Sequence, residues 1–193
     1  TSDNRKETRF FNLTVTPIRS VITQPVGVIT DQRPLIEWSD LPEARTWKIW
    51  IANATTGRSP VALDTLSGRS YRPIVDVGIG LIDIWVQGIR ANGTELPWSL
   101  RHRIDVRTAT SISPMAARQT TLRPNAEFSV VPGANAWEVY LSNVSNPQAP
   151  ALREIVNTPN WTPGSDLGLM RYRLYARAVV RDKFAANWSP PRD

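Results

Sequence analysis

The chain contains the same sequence pattern twice. Residues 22–103 align with residues 112–193 at a constant offset of 90 without a gap, and sixteen aligned positions are identical. The identities include two pairs of tryptophans, Trp47/Trp137 and Trp98/Trp188. A unit of about 90 residues is longer than the roughly 20–50 residues of a solenoid repeat and has the size of a small domain. The sequence therefore predicts two copies of one self-contained domain.

Within each copy, apolar residues recur at every second position. Trp47, Ile49 and Ile51 fall on one face of a predicted strand, and Lys48 and Trp50 fall on the opposite face. The same alternation occurs in residues 81–88, 137–141 and 172–178. A period of two over about four to eight residues indicates a strand with one buried face.

Turn-forming residues separate these segments. The chain has 16 prolines and 10 glycines, and they leave little uninterrupted sequence for helices. Several short strands with turn signals at intervals of roughly ten residues are typical of a β-sandwich. The predicted fold class is therefore all-β.

A series of motifs in the first copy resembles the fibronectin type III family. The series is Trp38, Pro42 and Ala44, the strand around Ile49, Ser70-Tyr71, Val77-Gly78 and the alternating "IDIWVQG". Trp98-Ser99 and Trp188-Ser189 are similar to a Trp-Ser pair of bacterial surface-protein members. The resemblance covers roughly residues 20–193 and implies two tandem immunoglobulin-like β-sandwiches that need no disulfide. It also implies that Trp38 packs against an aromatic residue on the next strand.

Tyr172 matches the tyrosine with which the family begins its F strand. The resemblance implies that the hydroxyl of this residue hydrogen-bonds back to the preceding turn. The first copy carries Ile82 at the aligned position. There we expect a corner that is held by packing alone.

The repeat and the resemblance together predict three segments. Residues 20–108 form the first domain and residues 109–193 the second, whose last strand is predicted to be missing because the copy ends in "WSPPRD". Residues 1–19 are interpreted as a tail or as the closing strand of a preceding repeat, because "RFFNLTVTP" alternates like a strand. Alternatively, this segment pairs with the open edge of a neighbouring second copy.

Composition excludes several classes of function. The chain has no cysteine, so disulfides, thiol nucleophiles and thiolate-bound zinc are excluded. No apolar run approaches the roughly 18 residues of a membrane-spanning helix, and we expect no membrane insertion by this segment. The net charge is +6, but the arginines are dispersed rather than clustered, so we predict no nucleic-acid partner.

No group of residues predicts catalysis or metal binding. His102, the one histidine, alternates with arginines on a predicted strand and is interpreted as a surface residue, and no Gly-x-Ser-x-Gly motif supports a catalytic triad. Glu37 and Glu127 are placed on the solvent face of a strand. Asp76 and Asp166 lie in a turn, where aspartate commonly bonds to its own backbone. We therefore predict no enzymatic activity, no catalytic residue, no metal site and no cofactor.

Four outward-facing aromatic residues form the candidate binding surface. Trp50 and Trp85 lie on adjacent predicted strands of the first copy, and Tyr140 and Tyr175 occupy the aligned positions of the second. One interpretation is a cross-strand pair worth roughly 0.2–1 kcal/mol, covered by Trp98 and an arginine in a cation–π stack. The other is a flat platform for a sugar ring or a partner protein.

The sequence favours a structural or interaction module over an enzyme. We predict a tandem β-sandwich spacer of an extracellular or cell-surface multidomain protein, which spaces, presents or docks other domains in adhesion. Its expected partners are other domains of the same parent chain or surface proteins. The alternative is a carbohydrate- or receptor-binding module that uses the outward-facing aromatic residues. The site decides between these functions, because a fold alone does not supply one.

Overall fold

The computed structural model describes residues 18–116 and 118–193. Of the predicted tail or closing strand at residues 1–19, all but the last two residues lie outside the described residues. Within the described ranges every regular secondary-structure element is a β-strand, so the all-β prediction is confirmed. No helix with the length and apolarity to cross a membrane occurs in these ranges.

Eight strands of the described residues build the first sandwich. They are β1 (Ile22–Gln24), β2 (Val28–Ile29), β3 (Ile36–Trp38), β4 (Thr46–Asn53), β5 (Arg58–Leu66), β6 (Ser70–Tyr71), β7 (Gly80–Ile89) and β8 (His102–Val106). Three of them form a sheet in the order β1-β3-β6, and five form the opposite sheet in the order β2-β8-β7-β4-β5. Neighbours are antiparallel except β2 and β8, which run parallel.

The first core lies between these two sheets. Trp47, Ile49 and Ile51 face it from β4, as the alternation predicts, and all three are buried. Trp38 and Trp47 meet edge to face with ring centroids 5.7 Å apart, which is the aromatic contact that the resemblance implies. Each large apolar side chain that is fully buried contributes roughly 1.5–3 kcal/mol.

In the described part of the chain, six strands build the second sandwich. They are β9 (Ala126–Glu127), β10 (Ala136–Asn143), β11 (Leu152–Val156), β12 (Asn160–Trp161), β13 (Tyr172–Val180) and β14 (Phe184–Ala185). One sheet pairs β12 with β9, and the other has the order β11-β10-β13-β14. Phe128, Trp137, Val139 and Trp161 are among the buried residues of its core. Ile79 of the first copy packs in this second core.

The duplicated Trp-Ser pair has the same structural role in both copies. The Ser99 hydroxyl accepts a hydrogen bond from the Val86 N–H at 3.0 Å, and the Ser189 hydroxyl accepts one from the Ala176 N–H at 3.1 Å. Each serine also donates its own N–H to the carbonyl of that same strand residue, at 2.8 and 2.7 Å. Both serines are buried. The serine thus satisfies a buried strand amide and fixes the position of the tryptophan before it.

The two copies agree in register where the last strand begins. Ile84 pairs with His102 in the first copy, and the aligned Leu174 pairs with Arg192 in the second. An ion pair near this point is present in both copies with its charges exchanged, as Asp83–Arg103 and Arg173–Asp193. In the second copy, Arg192 therefore makes the pairing that His102 makes at the start of β8 in the first. The domain boundaries at residues 20–108 and 109–193 stay predictions.

The corner before β13 differs from the one that the resemblance implies. The Tyr172 hydroxyl lies beside the turn, 3.5 Å from the place that a Cβ on Gly168 would take. This hydroxyl makes no hydrogen bond within residues 18–116 and 118–193, so the expected bond to the turn is wrong and the ring acts by packing. At the aligned position of the first copy, Ile82 is fully buried.

Candidate functional site

The outward face of β4 and β7 carries the predicted aromatic pair of the first sandwich. Trp50 and Trp85 are directly opposite each other in the antiparallel register. Trp50 is 45% exposed, whereas Trp85 is half-buried. The two indoles make no ring contact with each other in the described part of the chain. Both rings instead line a cleft.

This cleft is open to solvent and has a volume of about 550 Å³. Three tryptophans and four other residues line it: Trp50, Trp85, Trp98, Arg19, Ala52, Ser59 and Ser99. Trp98 comes from the segment between β7 and β8, where Ser99 anchors the chain to β7. A concave surface of aromatic rings with a few polar groups has the composition of a ligand site.

Positive charge predominates around the cleft. Asp83 is 6% exposed although it faces outward, because Arg103 contacts its carboxylate at 2.6 Å and Arg101 lies at 4.0 Å. Arg19 lines the cleft and makes no ion pair within the described ranges. None of the described residues that line the cleft carries a carboxylate. The described charged groups therefore favour a neutral or acidic ligand over a cationic one.

A polar cluster covers the same face two residues further along the strands. Lys48 Nζ contacts Glu95 Oε1 at 2.7 Å, and its hydrogen bond and charge hold the pKa of Glu95 below its ordinary value. By the alternation of β7, Gln87 lies on the outward face with Trp85, but it is 5% exposed. It is buried because its amide donates to the Leu96 carbonyl at 2.9 Å, which brings the β7–β8 segment over it. This contact positions Trp98 at the edge of the cleft.

The same face of the second sandwich is filled by side chains. Tyr140 and Tyr175 are opposite each other in the register, with ring centroids 6.0 Å apart. The ring centroids of Tyr140 and Trp188 lie 6.2 Å apart, and the Arg177 guanidinium lies 4.4 Å from the centroid of the Trp188 ring. A cation–π stack is thus present in the second copy, where an arginine occupies the position of Gln87. The predicted tyrosine pair is a packed cluster rather than an open platform.

Glu138 holds this arginine over the ring. Its side chain is 7% exposed, and its carboxylate accepts a hydrogen bond from Arg177 Nε at 2.6 Å and another from Arg153. Burial raises the pKa of Glu138, but the hydrogen bonds and charges of the two arginines outweigh burial, so the pKa is below its ordinary value. The first copy carries Lys48 at this position, and a lysine cannot form an ion pair with an arginine.

The other polar candidates make structural contacts. His102 is half-buried, and its Nε2 lies 2.6 Å from the carbonyl oxygen of Pro25. Asp76 accepts a hydrogen bond from Arg33 Nε at 2.7 Å, where the sequence suggested a bond to its own backbone. Glu37 is exposed, as expected for the solvent face. Among the described residues, no three histidine, cysteine, aspartate or glutamate side chains group as a metal site.

A second candidate surface joins the two sandwiches, and the sequence reasoning missed it. Ile79, in the turn before β7, is 0% exposed and packs with the second core. Its N–H donates to the Pro132 carbonyl at 3.2 Å. Lys183 Nζ of the second copy also donates to the Thr55 carbonyl of the first at 3.3 Å. Apolar packing and polar contacts thus act together there.

Gly78 of the first copy and Gly133 of the second allow the backbones to meet at this junction. Gly133 has a φ of 85°, and a Cβ at this position would lie 3.1 Å from the Ile79 nitrogen and 3.2 Å from the Gly78 Cα. Asn53 supports the turn from below, because its amide donates to the Val77 and Ile79 carbonyls at 3.0 Å each. The signal in the sequence is "VGIG", in which glycines on both sides of an isoleucine form a turn that presents an apolar side chain.

No protein-family model and no curated protein matches the chain. Solved structures match it in fold. A segment of two fibronectin type III domains from chicken tenascin has a TM-score of 0.57 and 10% identity, and the match covers 91% of this chain and 95% of that one.

Two longer structures are also similar. The FN1–FN3 domains of chicken CNTN1 have a TM-score of 0.32 and 13% identity, over 86% of this chain and 59% of that one. A tetra-tandem repeat in the extending region of a large adhesion protein has a TM-score of 0.37 and 12% identity, over 89% of this chain and 47% of that one. The sheets, the core and the tenascin match agree, and the chain has the fold of tandem fibronectin type III domains.

Proposed function

We propose that the chain is a non-enzymatic structural and interaction module of an extracellular or cell-surface multidomain protein. It acts as a tandem β-sandwich spacer that holds neighbouring domains at a set distance and angle. The observation that carries this proposal is the complete burial of Ile79 of the first sandwich in the core of the second. The proposed partners are other domains of the same parent chain or surface proteins.

The segment between the sandwiches supports a stiff junction. The Arg107 N–H donates to the Ile29 carbonyl at 2.8 Å, and the Thr108 hydroxyl donates to the Thr30 carbonyl at 2.7 Å. The Arg107 guanidinium lies 5.3 Å from the centroid of the Phe184 ring in the second sandwich. Relative motion of domains is the default unless the interface is well packed. Here the connecting segment is bonded to one sandwich and contacts the other.

Small-angle X-ray scattering tests this function through Ile79→Asp. A carboxylate placed between the two cores cannot be buried without a partner. We therefore expect the sandwiches to separate, the pair-distance distribution to broaden and the maximum dimension of the chain to increase. Leu169→Asp is the matched control, because Leu169 aligns with Ile79 and is 93% exposed. A parent chain that already scatters as a flexible pair, or an Ile79→Asp chain that scatters like the parent, would contradict the proposal.

The cleft supports a second function, the binding of a carbohydrate or a receptor through Trp50 and Trp85. The observation that favours it is the difference between the copies, since the cleft is open in the first sandwich and filled by Tyr140, Tyr175 and Trp188 in the second. The proposed site is therefore confined to the first sandwich.

Titration of neutral and acidic oligosaccharides, followed by tryptophan fluorescence, tests this second function. We expect a saturable change in the parent chain, its loss in Trp85→Ala, and its persistence in the matched variant Tyr175→Ala. No change in the parent chain with any of these oligosaccharides, or an equal loss in both variants, would exclude a carbohydrate site in the cleft.

A further inference from the structure

The turn before β13 presents an exposed apolar tip. Leu169 is 93% exposed, the highest value among the exposed large apolar side chains of the described residues, and Met170 beside it is 55% exposed. Leu169 aligns with Ile79 at the offset of 90. The same position of the repeat is therefore fully buried between domains in one copy and fully presented to solvent in the other.

The base of this turn is the same in both copies. The Leu81 N–H donates to the Thr55 hydroxyl oxygen at 2.9 Å, and the Arg171 N–H donates to the Ser145 hydroxyl oxygen at 3.0 Å. The adjoining backbone bonds, Ala54 N–H to Leu81 carbonyl and Val144 N–H to Arg171 carbonyl, both measure 2.8 Å. Leu169 thus stands at the end of its sandwich that corresponds to the Ile79 end of the first.

The top of the turn differs, because the glycine that shapes it in the first copy is replaced. A Cβ on Gly80 would lie 2.5 Å from the Thr55 hydroxyl oxygen, and Met170 occupies the aligned position. The second turn takes another path, in which the Met170 N–H donates to the Gly168 carbonyl at 2.8 Å. The Leu169 N–H, unlike that of Ile79, has no acceptor in the described part of the chain.

We propose that the Leu169–Met170 tip docks a further β-sandwich domain that offers a Pro-Gly turn equivalent to Pro132-Gly133. This inference rests on the proposed spacer function. The first junction supplies the pattern for this contact, because the Pro132-Gly133 turn covers Ile79, which aligns with Leu169. Because Met170 replaces a glycine, the second contact has its own angle between domains.

The first sandwich of another copy of this chain fits less well as the occupant. Glu43 aligns with Gly133 and is ion-paired with Arg90. A side chain at the Gly133 position would come within 3.2 Å of the backbone of the docked turn. The occupant assigned here is therefore a domain with glycine at this position, where the contact is least crowded.

An extended chain tests the proposal, with residues 104–193 appended directly after Asp193. Because Asp193 aligns with Arg103, the extension continues the last strand in register and supplies a second Pro132-Gly133 turn. Hydrogen exchange of the turn around Leu169, measured by NMR and mass spectrometry, should slow by roughly tenfold or more compared with the chain of 193 residues.

Three variants of the extended chain identify the contact. Leu169→Asp should abolish the added protection, and so should Gly133→Glu placed only in the appended copy. Leu100→Asp, at another exposed apolar residue (74% exposed), should leave the protection unchanged. A separate cooperative melting transition of the appended unit confirms that it is folded in each variant.

Equal exchange at Leu169 with and without a folded extension overturns the proposal, and so does protection that survives both disrupting variants. The Ile79 N–H serves as the internal reference in the same samples. If it is protected while Leu169 is not, the inference fails and the spacer function stands. If neither is protected, the spacer function fails as well.

Discussion

The outward faces of the two sandwiches are built on one register and have opposite properties. In both, an aromatic pair lies opposite across the two central strands, as Trp50–Trp85 and as Tyr140–Tyr175. In both, a Trp-Ser pair is anchored by the serine to the central strand. The first face nevertheless keeps an open cleft lined by three indoles, whereas the second closes into a ring cluster capped by Arg177.

We attribute the difference between the two faces to one buried charge, the Glu138 carboxylate. In the second copy, the Glu138 carboxylate holds Arg177, and the guanidinium can then lie flat on the Trp188 ring. In the first copy, Lys48 and Gln87 occupy these two positions. An arginine at position 87 would meet a like charge at Lys48. Among the described arginines none stacks on the Trp98 ring, and the three indoles line an open cleft.

The largest effect is expected from Glu138→Gln. The substitution leaves Arg177, which is 22% exposed, without its carboxylate. Breaking a fully buried ion pair costs roughly 3–5 kcal/mol, and because Arg153 is 61% exposed we expect about 2 kcal/mol here. Urea unfolding measures it. Lys48→Gln is the matched control on the first face, where the ion pair is solvated and little change is expected. Equal losses in both variants would refute a special role of Glu138.

Acid unfolding sharpens the same contrast. The pKa of Glu138 is lower in the folded chain than in the unfolded chain, since the two arginines outweigh the effect of burial. Its stabilising contribution is therefore complete above the ordinary glutamate pKa of about 4.3 and is lost as the pH falls through the folded-state pKa. The free energy of unfolding of the parent should decline more steeply below roughly pH 4 than that of Glu138→Gln. Parallel curves would show that this carboxylate is not coupled to folding.

A smaller and equal effect is expected from Ser99→Ala and Ser189→Ala. Each removes the hydroxyl acceptor of a buried strand N–H, and we expect a loss of about 1 kcal/mol in the free energy of unfolding. Thermal and urea unfolding of the two variants provide the measurement. Because the contacts agree within 0.1 Å between copies, at 3.0 and 3.1 Å, clearly unequal losses would contradict the shared role of the Trp-Ser pair.

The sequence predicted the strands, because alternation is a local property of the chain. It identified the inward set of β4 and the outward positions of Trp50 and Trp85, and the structure agrees. Alternation gives the direction of a side chain and not what lies over it. Asp83 and Gln87 point outward and are still buried, by contacts from the β7–β8 segment and from β8.

The junction could not be derived in the same way. Its central contact joins Ile79 to Pro132, which are far apart in the sequence and belong to different copies. The "VGIG" motif indicates a turn but does not show what covers the isoleucine. The difference between the faces was present in the sequence as Lys48/Glu138 and Gln87/Arg177. Its consequence required the position of the Trp188 ring relative to the guanidinium.

The smallest effect on stability, and the most direct test of the comparison, is expected when the charged pair of the second face, Glu138 and Arg177, is copied onto the first face. The double variant Lys48→Glu/Gln87→Arg places the carboxylate and arginine of the second face on the first. We expect the new guanidinium to stack on Trp98 and to narrow the cleft. The gain from the stack is roughly 0.5–1 kcal/mol. It is offset by the loss of the Gln87 hydrogen bond to the Leu96 carbonyl and of the exposed Lys48–Glu95 ion pair.

Fluorine NMR of the chain labelled with 5-fluorotryptophan reads this change without relying on stability. The chain has eight tryptophans, and single Trp→Phe variants assign their resonances. In the double variant, a soluble paramagnetic agent should broaden the Trp98 resonance less than in the parent. In Arg177→Gln, it should broaden the Trp188 resonance more. The two opposite shifts in accessibility follow from one cause, the presence of a cation over the ring. If Trp98 stays as accessible as in the parent while Trp188 responds, the backbone path of the β7–β8 segment, rather than the charge at position 48, keeps the first face open.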